Sequence, residues 1–540
     1  MFSGLSRLWG GRQPDMTADP DDGTLPKFEY GRPDFVGLSE DEVQVSADAQ
    51  VRPIMIPRDT CRLPWNAGYA EVINSGKSLR NEDQAICEVF SLVDPEDDPL
   101  VAGHGNGTEP YHPHDDVVPA KSPKTALVST DPECKKVVIF GIVDGHAGSE
   151  AAVFTSKLLH YHIQEKLSTM QELLFTNKKD KVAENGWPDG QVTADWKDVL
   201  PDQLVTGALE AAFHTMDAQI GRERHMYQLT GGCAVIVALF FLDRLYVANA
   251  GDCRAVVCRR ARPMQLSTDF TPITERQRLQ HLAWLRPHLI GDEFTHLEFQ
   301  QRLTSLDVGR RVLYRDVGMK GWAYKTVTLE DIKFPLIHGD GKRAKLMATI
   351  GVTRGFGDHD LRVYNTELYV KPFLSPNPEV RAYDLASQMH DADDVLILAS
   401  DGLWDVISNE KACELVSSSL SQFAPDDMAR YTSAAQELVM YARGILEPKV
   451  GWRTVDETPS SSDDISAFVI PLCCYGSNAQ MPMSPKLTVG RPADWSDDAN
   501  SAPAEQPDDV DSDSAKQEVG GQAGDRPDGE ASGQQQQQQQ

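Results

Sequence analysis

One stretch constrains this chain more than any other: Val137-Val138-Ile139-Phe140-Gly141-Ile142-Val143, followed at once by Asp144-Gly145-His146. A β-branched run of that length reads as a buried strand. Asp144 then stands where a buried strand ends, and a carboxylate there needs a partner, because an unpaired buried charge costs several kcal/mol. Asp-Gly is also a common hairpin turn, and it occurs six times in the chain, so the pair alone carries little weight. Its company carries more. Val395 to Ser400 runs into Asp401-Gly402-Leu403-Trp404-Asp405, and Leu245 to Ala250 runs into Gly251-Asp252. Two further acidic sites precede strand-like runs: Glu82-Asp83 before Gln84 to Phe90, and Asp463-Asp464 before Ile465 to Ile470. In an antiparallel pair the end of one strand lies beside the start of its neighbour. All five acidic sites can therefore meet along one edge of a β core; five separate solvated turns is the competing reading.

Composition narrows the classes. The net charge of −29 argues against a general binder of nucleic acid or anionic membranes. Part of it is local, since residues 491–540 hold twelve acids against three basic residues. The rest leaves an acidic body, as expected where carboxylates gather to hold cations. Nine cysteines with no CxxC pair read as reduced, mostly buried thiols of a cytoplasmic or nuclear protein. No run approaches the ~18 apolar residues of a membrane span; the longest, Cys233 to Leu242, has the length of a core strand.

Taken in order, residues 1–60 are rich in Pro, Asp and Gly and are expected to be disordered. Within them Phe2, Leu5 and Trp9 recur near helical spacing beside Arg7 and Arg12, a pattern for peripheral membrane or partner contact through residues 2–12. The folded body is expected over 61–475, with surface loops at 91–132 and 177–200. Helices are predicted at 150–167, 202–226, 409–419 and 426–445. Residues 271–345 break the β rhythm and read as an insertion beginning with a helix over 274–284. Ala348 to Val352 reads as a strand that resumes the body. The tail, 476–540, is acidic, ends in seven glutamines and is expected to be unstructured.

Asp144-Gly145-His146-Ala147-Gly148, Gly251-Asp252-Cys253-Arg254, Asp401-Gly402-Leu403-Trp404-Asp405 and Asp463-Asp464-Ile465-Ser466 together resemble the PPM family, the type 2C metal-dependent protein Ser/Thr phosphatases. Asn81-Glu82-Asp83 and Thr353-Arg354-Gly355-Phe356-Gly357-Asp358 fit the same pattern. The long insert and Tyr69 to Asn74 look most like the H/J/M branch. The resemblance implies an α+β fold: a central antiparallel β-sandwich flanked by antiparallel α-helices, four layers αββα, with 271–345 as a flap subdomain. It implies that Asp144, Asp401 and Asp463 are direct carboxylate ligands of a binuclear Mg²⁺ or Mn²⁺ centre. Gly145 would offer its carbonyl, Glu82 and Asp83 would hold the ions' waters, and Asp252 with Asp401 would hold a third, weaker ion. Hard oxygen donors suit those metals.

The implied reaction is hydrolysis of phosphoserine and phosphothreonine on proteins by in-line attack of a metal-bridging water, with His146 as general acid. The six acids sum to −6 and two divalent ions return +4, so without metal the cluster would repel a phosphate dianion. The family's phosphate-clamping arginine falls at Ser78 here, flanked by Lys77 and Arg80. The two donors of a guanidinium favour Arg80, while Lys77 offers a point charge. Cys253 replaces the family's serine and is expected to be a buried, inert thiol. Phosphorylated proteins are the implied partners, with small GTPases one candidate in similar branches. The competing function is a catalytically weak pseudophosphatase that binds through its flap; retention of every matched acid favours the enzyme.

Overall fold

The computed structural model describes residues 28–93, 134–175 and 199–475. The pattern at 2–12, nearly all of the two expected loops and the acidic tail lie outside them. Ten strands make the body: β1 (Gly68–Val72), β2 (Gln84–Val93), β3 (Cys134–His146), β4 (Gly232–Phe241), β5 (Arg244–Ala250), β6 (Arg254–Arg259), β7 (Arg262–Gln265), β8 (Glu379–Asp384), β9 (Val395–Ala399) and β10 (Ile465–Pro471). They form two antiparallel sheets, ordered β1-β10-β9-β6-β7 and β8-β5-β4-β3-β2, and Phe356–Gly357 pairs with β4 as a sixth strand of the second.

Both faces of the central strands are covered, which is why they are apolar without alternation. On β3, Val138, Phe140 and Ile142 share one buried cluster with Leu396 and Leu398 of β9 and Phe468 and Ile470 of β10. Val137, Ile139 and Val143 turn the other way and pack on the helices α2 (Glu150–Thr169) and α3 (Pro201–Glu223). The outer face of the first sheet, including Val395, Ile397 and Val469, packs on α6 (Asn409–Leu420) and α7 (Arg430–Arg443). The short α5 (Asp401–Trp404) joins β9 to that layer. The body helices lie within four residues of their predicted ends.

Three expectations are corrected. Residues 28–60 are not disordered where they are described. Ser39 caps α1 (Glu40–Ser46), with a reciprocal bond between Ser39 and Glu42. Val36 joins the cluster between the sheets, and Met55 exchanges backbone bonds with Glu71 of β1 at 2.9 and 3.0 Å. Ala348 to Val352 is no strand: Met347 and Ala348 turn with φ of 49° and 55°, and Thr349 bonds back to Leu346. β2 also runs to Val93, into the segment expected as loop.

The insertion carries α4 (Arg276–Leu285) and short two- and three-stranded ribbons, and it shares a separate core with the segment that follows it, in which Leu279, Ala283, Phe294 and Leu336 meet Val370 and Phe373. Its base is held by Glu275, which accepts from Arg354 and Arg278 at 2.8 Å each. No helix among the described residues is long and apolar enough to cross a membrane.

Candidate metal centre

Strand register carries the acids to one end of the sheets. Gln84 at the start of β2 pairs with Val143, and Gly232 at the start of β4 pairs with His146. Ala250 at the end of β5 pairs with Val235. In the other sheet Ala399, the last residue of β9, lies opposite both Arg254 and Ala467. Asp144, Asp252 and Asp401 thus converge: each offers a carboxylate oxygen, and these oxygens lie within 4.8 Å of one another. The Asp401 backbone N–H points to Asp144 Oδ2 at 3.4 Å.

The electrostatics of this cluster call for cations. Burial, then repulsion from Asp401, Asp83 and Asp252, pushes Asp144 well above the usual carboxylate range. Asp401 is raised by burial and by Asp252 and Asp463. Burial, with repulsion from Asp269 and Asp405, brings Asp252 to about 7. Converging half-buried carboxylates with all-oxygen donors fit Mg²⁺ or Mn²⁺.

The remaining expected residues are each held by contacts of their own. Gly145 follows Asp144, and a Cβ there would lie 2.4 Å from the Glu82 carbonyl, so the backbone approach itself requires glycine. Glu82 accepts from the Gly148 N–H at 3.0 Å, and burial raises its pKa. Asp83 is buried and accepts from Ser400 Oγ at 2.8 Å. Asp463 lies outside the trio and is paired with Lys77. Arg80 is instead stacked on Tyr30, its guanidinium carbon 4.8 Å from the ring centre. Lys77 is therefore the flanking base that reaches an acid of the set. Cys253 is fully buried, and burial followed by the neighbouring Asp144 pushes its thiol well up.

His146 Nε2 lies 2.8 Å from Asp358 Oδ2. Burial pulls the imidazole pKa down, but the bond and charge of Asp358 more than offset it, and the net shift is upward.

Four supports have no role assigned to them by the sequence. Asp464, one residue past Asp463, accepts from Asn74 N at 2.8 Å and Glu82 N at 3.1 Å, tying two acid-bearing loops together. Arg32 grips Glu71 through two bonds of 2.7 and 2.6 Å and also donates to the Asp83 carbonyl at 2.7 Å. Arg52, fully buried, donates to the carbonyls of Ile73, Ser461 and Asp463 at 2.7, 2.7 and 2.9 Å. Asp358 was legible only as the last letter of its motif. The arginines left no local signal, because their partners come from distant parts of the chain.

Comparison with known proteins adds the lineage. The protein phosphatase 2C family profile matches residues 124–284 and 337–445. Human "Protein phosphatase 1H" is 46% identical over 475 residues, covering 83% of this chain and 91% of its own length. Mouse "Protein phosphatase 1J" is 44% identical over 470 residues, covering 83% and 87%. With this profile and these relatives matching across the body, the chain belongs to the protein phosphatase 2C family, the metal-dependent protein phosphatases.

Proposed function

We propose that this chain hydrolyses phosphoserine and phosphothreonine in proteins at the Asp144, Asp252 and Asp401 cluster. The observation that carries this reading is the convergence of those three carboxylates, whose ionised forms are unfavourable side by side until cations join them. Asp144, Gly145, Asp401 and Asp463 would hold two Mg²⁺ or Mn²⁺ ions, and Asp252 a third. When bound, such ions supply the charge that draws in a phosphate dianion and a water acidic enough to act as nucleophile near neutral pH. Glu82 and Asp83, pinned by Gly148 and Ser400, would orient the ions' water by accepting hydrogen bonds from it. His146 is the group that protonates the departing serine or threonine oxygen. Lys77, already at the edge of the cluster on Asp463, is the nearer clamp for the phosphate, and Arg80 would have to leave Tyr30 to serve.

In this reading the body is a four-layer αββα sandwich with 271–345 as the flap. The flap reaches the turn that begins at Asp401, since Lys342 donates to the Trp404 carbonyl at 2.8 Å and pairs with Asp405 at 2.9 Å. Exposed Trp284, Trp322 and Tyr324 on the same insert offer surface to a phosphoprotein.

The test is phosphate release from a phosphothreonine peptide in Mn²⁺, with and without a chelator. Release that the chelator abolishes supports the reading. Capture of phosphoprotein with no release would instead favour the binding-only alternative.

A further inference from the structure

Asp358 is 5% exposed at its side chain and bonds His146 Nε2 at 2.8 Å. Three features of the backbone exist in support of that bond. Phe356–Gly357 pairs with Cys233 and Gly232 of β4, which carries Asp358 alongside the strand opposite His146. Asp358 then takes φ of 56°, a left-handed conformation that Asp tolerates better than most residues, and its N–H is tied to the Gly231 carbonyl at 2.8 Å. Gly232 leaves the space that the carboxylate needs: a Cβ there would lie 2.2 Å from Asp358 Oδ2. Nearby basic side chains do not compete for this acid, because Lys371 and His359 pair with Asp217 at 2.7 and 3.2 Å. Asp358 is also not one of the three converging metal acids.

We infer that Asp358 is a positioning residue for proton delivery: it fixes the His146 ring through Nε2, so that Nδ1 is the atom that hands a proton to the leaving oxygen. This rests on the proposed phosphatase reading. A carboxylate behind an imidazole sets both the tautomer and the ring plane. Loss of that orientation matters only where the leaving group needs a proton. An alkoxide of serine needs one; nitrophenolate, a weak base, does not.

The experiment compares Asp358→Asn, His146→Ala and the double variant with wild type, on a phosphoserine peptide and on p-nitrophenyl phosphate, both with saturating Mn²⁺. Asp358→Asn is expected to lower kcat on the peptide by about 10- to 100-fold, the range for lost supporting partners, with KM little changed. Nitrophenyl phosphate turnover should stay within about threefold of wild type, which also shows that the variant is folded. The double variant should be no slower on the peptide than His146→Ala alone, because the two act as a unit. An equal loss on both substrates, no loss on either, or additive losses in the double variant would overturn the inference. A wild-type protein inactive on both substrates would remove the phosphatase reading, and this one with it.

Discussion

The strands that present the acids and the segment that braces them are built on opposite principles. β3, β9 and β10 satisfy their own backbones by pairing and are held by apolar packing on both faces. Residues 28–60 have one short helix and a single bridge to the sheet, and beside the apolar packing of Val36 their polar grip centres on two guanidiniums. Arg32 closes on Glu71 and the 81–83 turn, and Arg52 closes on three carbonyls that include Ser461 and Asp463. A strand needs many residues to specify it. A loop with unpaired carbonyls can be specified by one side chain with five donors. The acids are thus delivered by hydrophobic pattern and aimed by single polar contacts.

The largest expected effect comes from the delivered side. Asp401→Ala should lower Mn²⁺-dependent turnover by on the order of a thousandfold, about 4 kcal/mol of transition-state charge stabilisation. Its thermal transition should be no lower than wild type without metal, because repulsion at Asp144 falls. Wild-type activity would break the assignment.

The bracing side comes next. Arg52→Met leaves three carbonyls without their donor, and should cost about 3 kcal/mol of stability in urea melts. It should also raise the Mn²⁺ concentration for half-maximal activity. A variant as stable as wild type with unchanged metal demand would mean that the acid loops hold themselves.

Lys77→Ala against Arg80→Ala sharpens the comparison at the phosphate. Loss of a charge-assisted contact is worth about 1.5–3 kcal/mol, so Lys77→Ala should raise KM for a phosphopeptide by roughly tenfold or more. Arg80→Ala should stay within a few-fold. The reverse order would restore the guanidinium clamp that donor chemistry alone favours.

The smallest effect concerns another arginine-held joint, Glu275 with Arg354 and Arg278. Burial alone would raise Glu275, but the hydrogen bonds from both arginines hold it below the ordinary glutamate value. A depressed acid contributes stability that is present above its unfolded pKa and lost as pH falls through the folded one. Glu275→Gln should therefore cost about 1–2 kcal/mol near pH 7, and the gap from wild type should close as the pH drops below the ordinary glutamate value. A gap independent of pH, read from urea melts at both ends, would show that packing and not charge holds the joint.

What was legible follows the same division. The strand-end acids and the body helices could be read from runs and periodicity, because those patterns repeat over many residues. Residues 28–60 could not, because Arg52 finds Ser461 more than 400 positions away and no local window contains both. Ala348 to Val352 carried β-branched propensity, and the positive φ at Met347 and Ala348 overrode it. Arg80 was favoured for its donors, and the Tyr30 face that engages it belongs to the segment expected to be disordered.

The brace has a practical side. A fragment cut to begin at residue 61, where the hydrophobic pattern starts, would retain all the acids, the flap and nearly the whole of both sheets. It would also leave Glu71 buried without its guanidinium, and the Ser461 and Asp463 carbonyls without a donor. Such a fragment should express poorly and bind divalent ions weakly. Supplying residues 28–60 as a separate peptide should then recover activity, as a two-piece enzyme whose rate depends on peptide concentration.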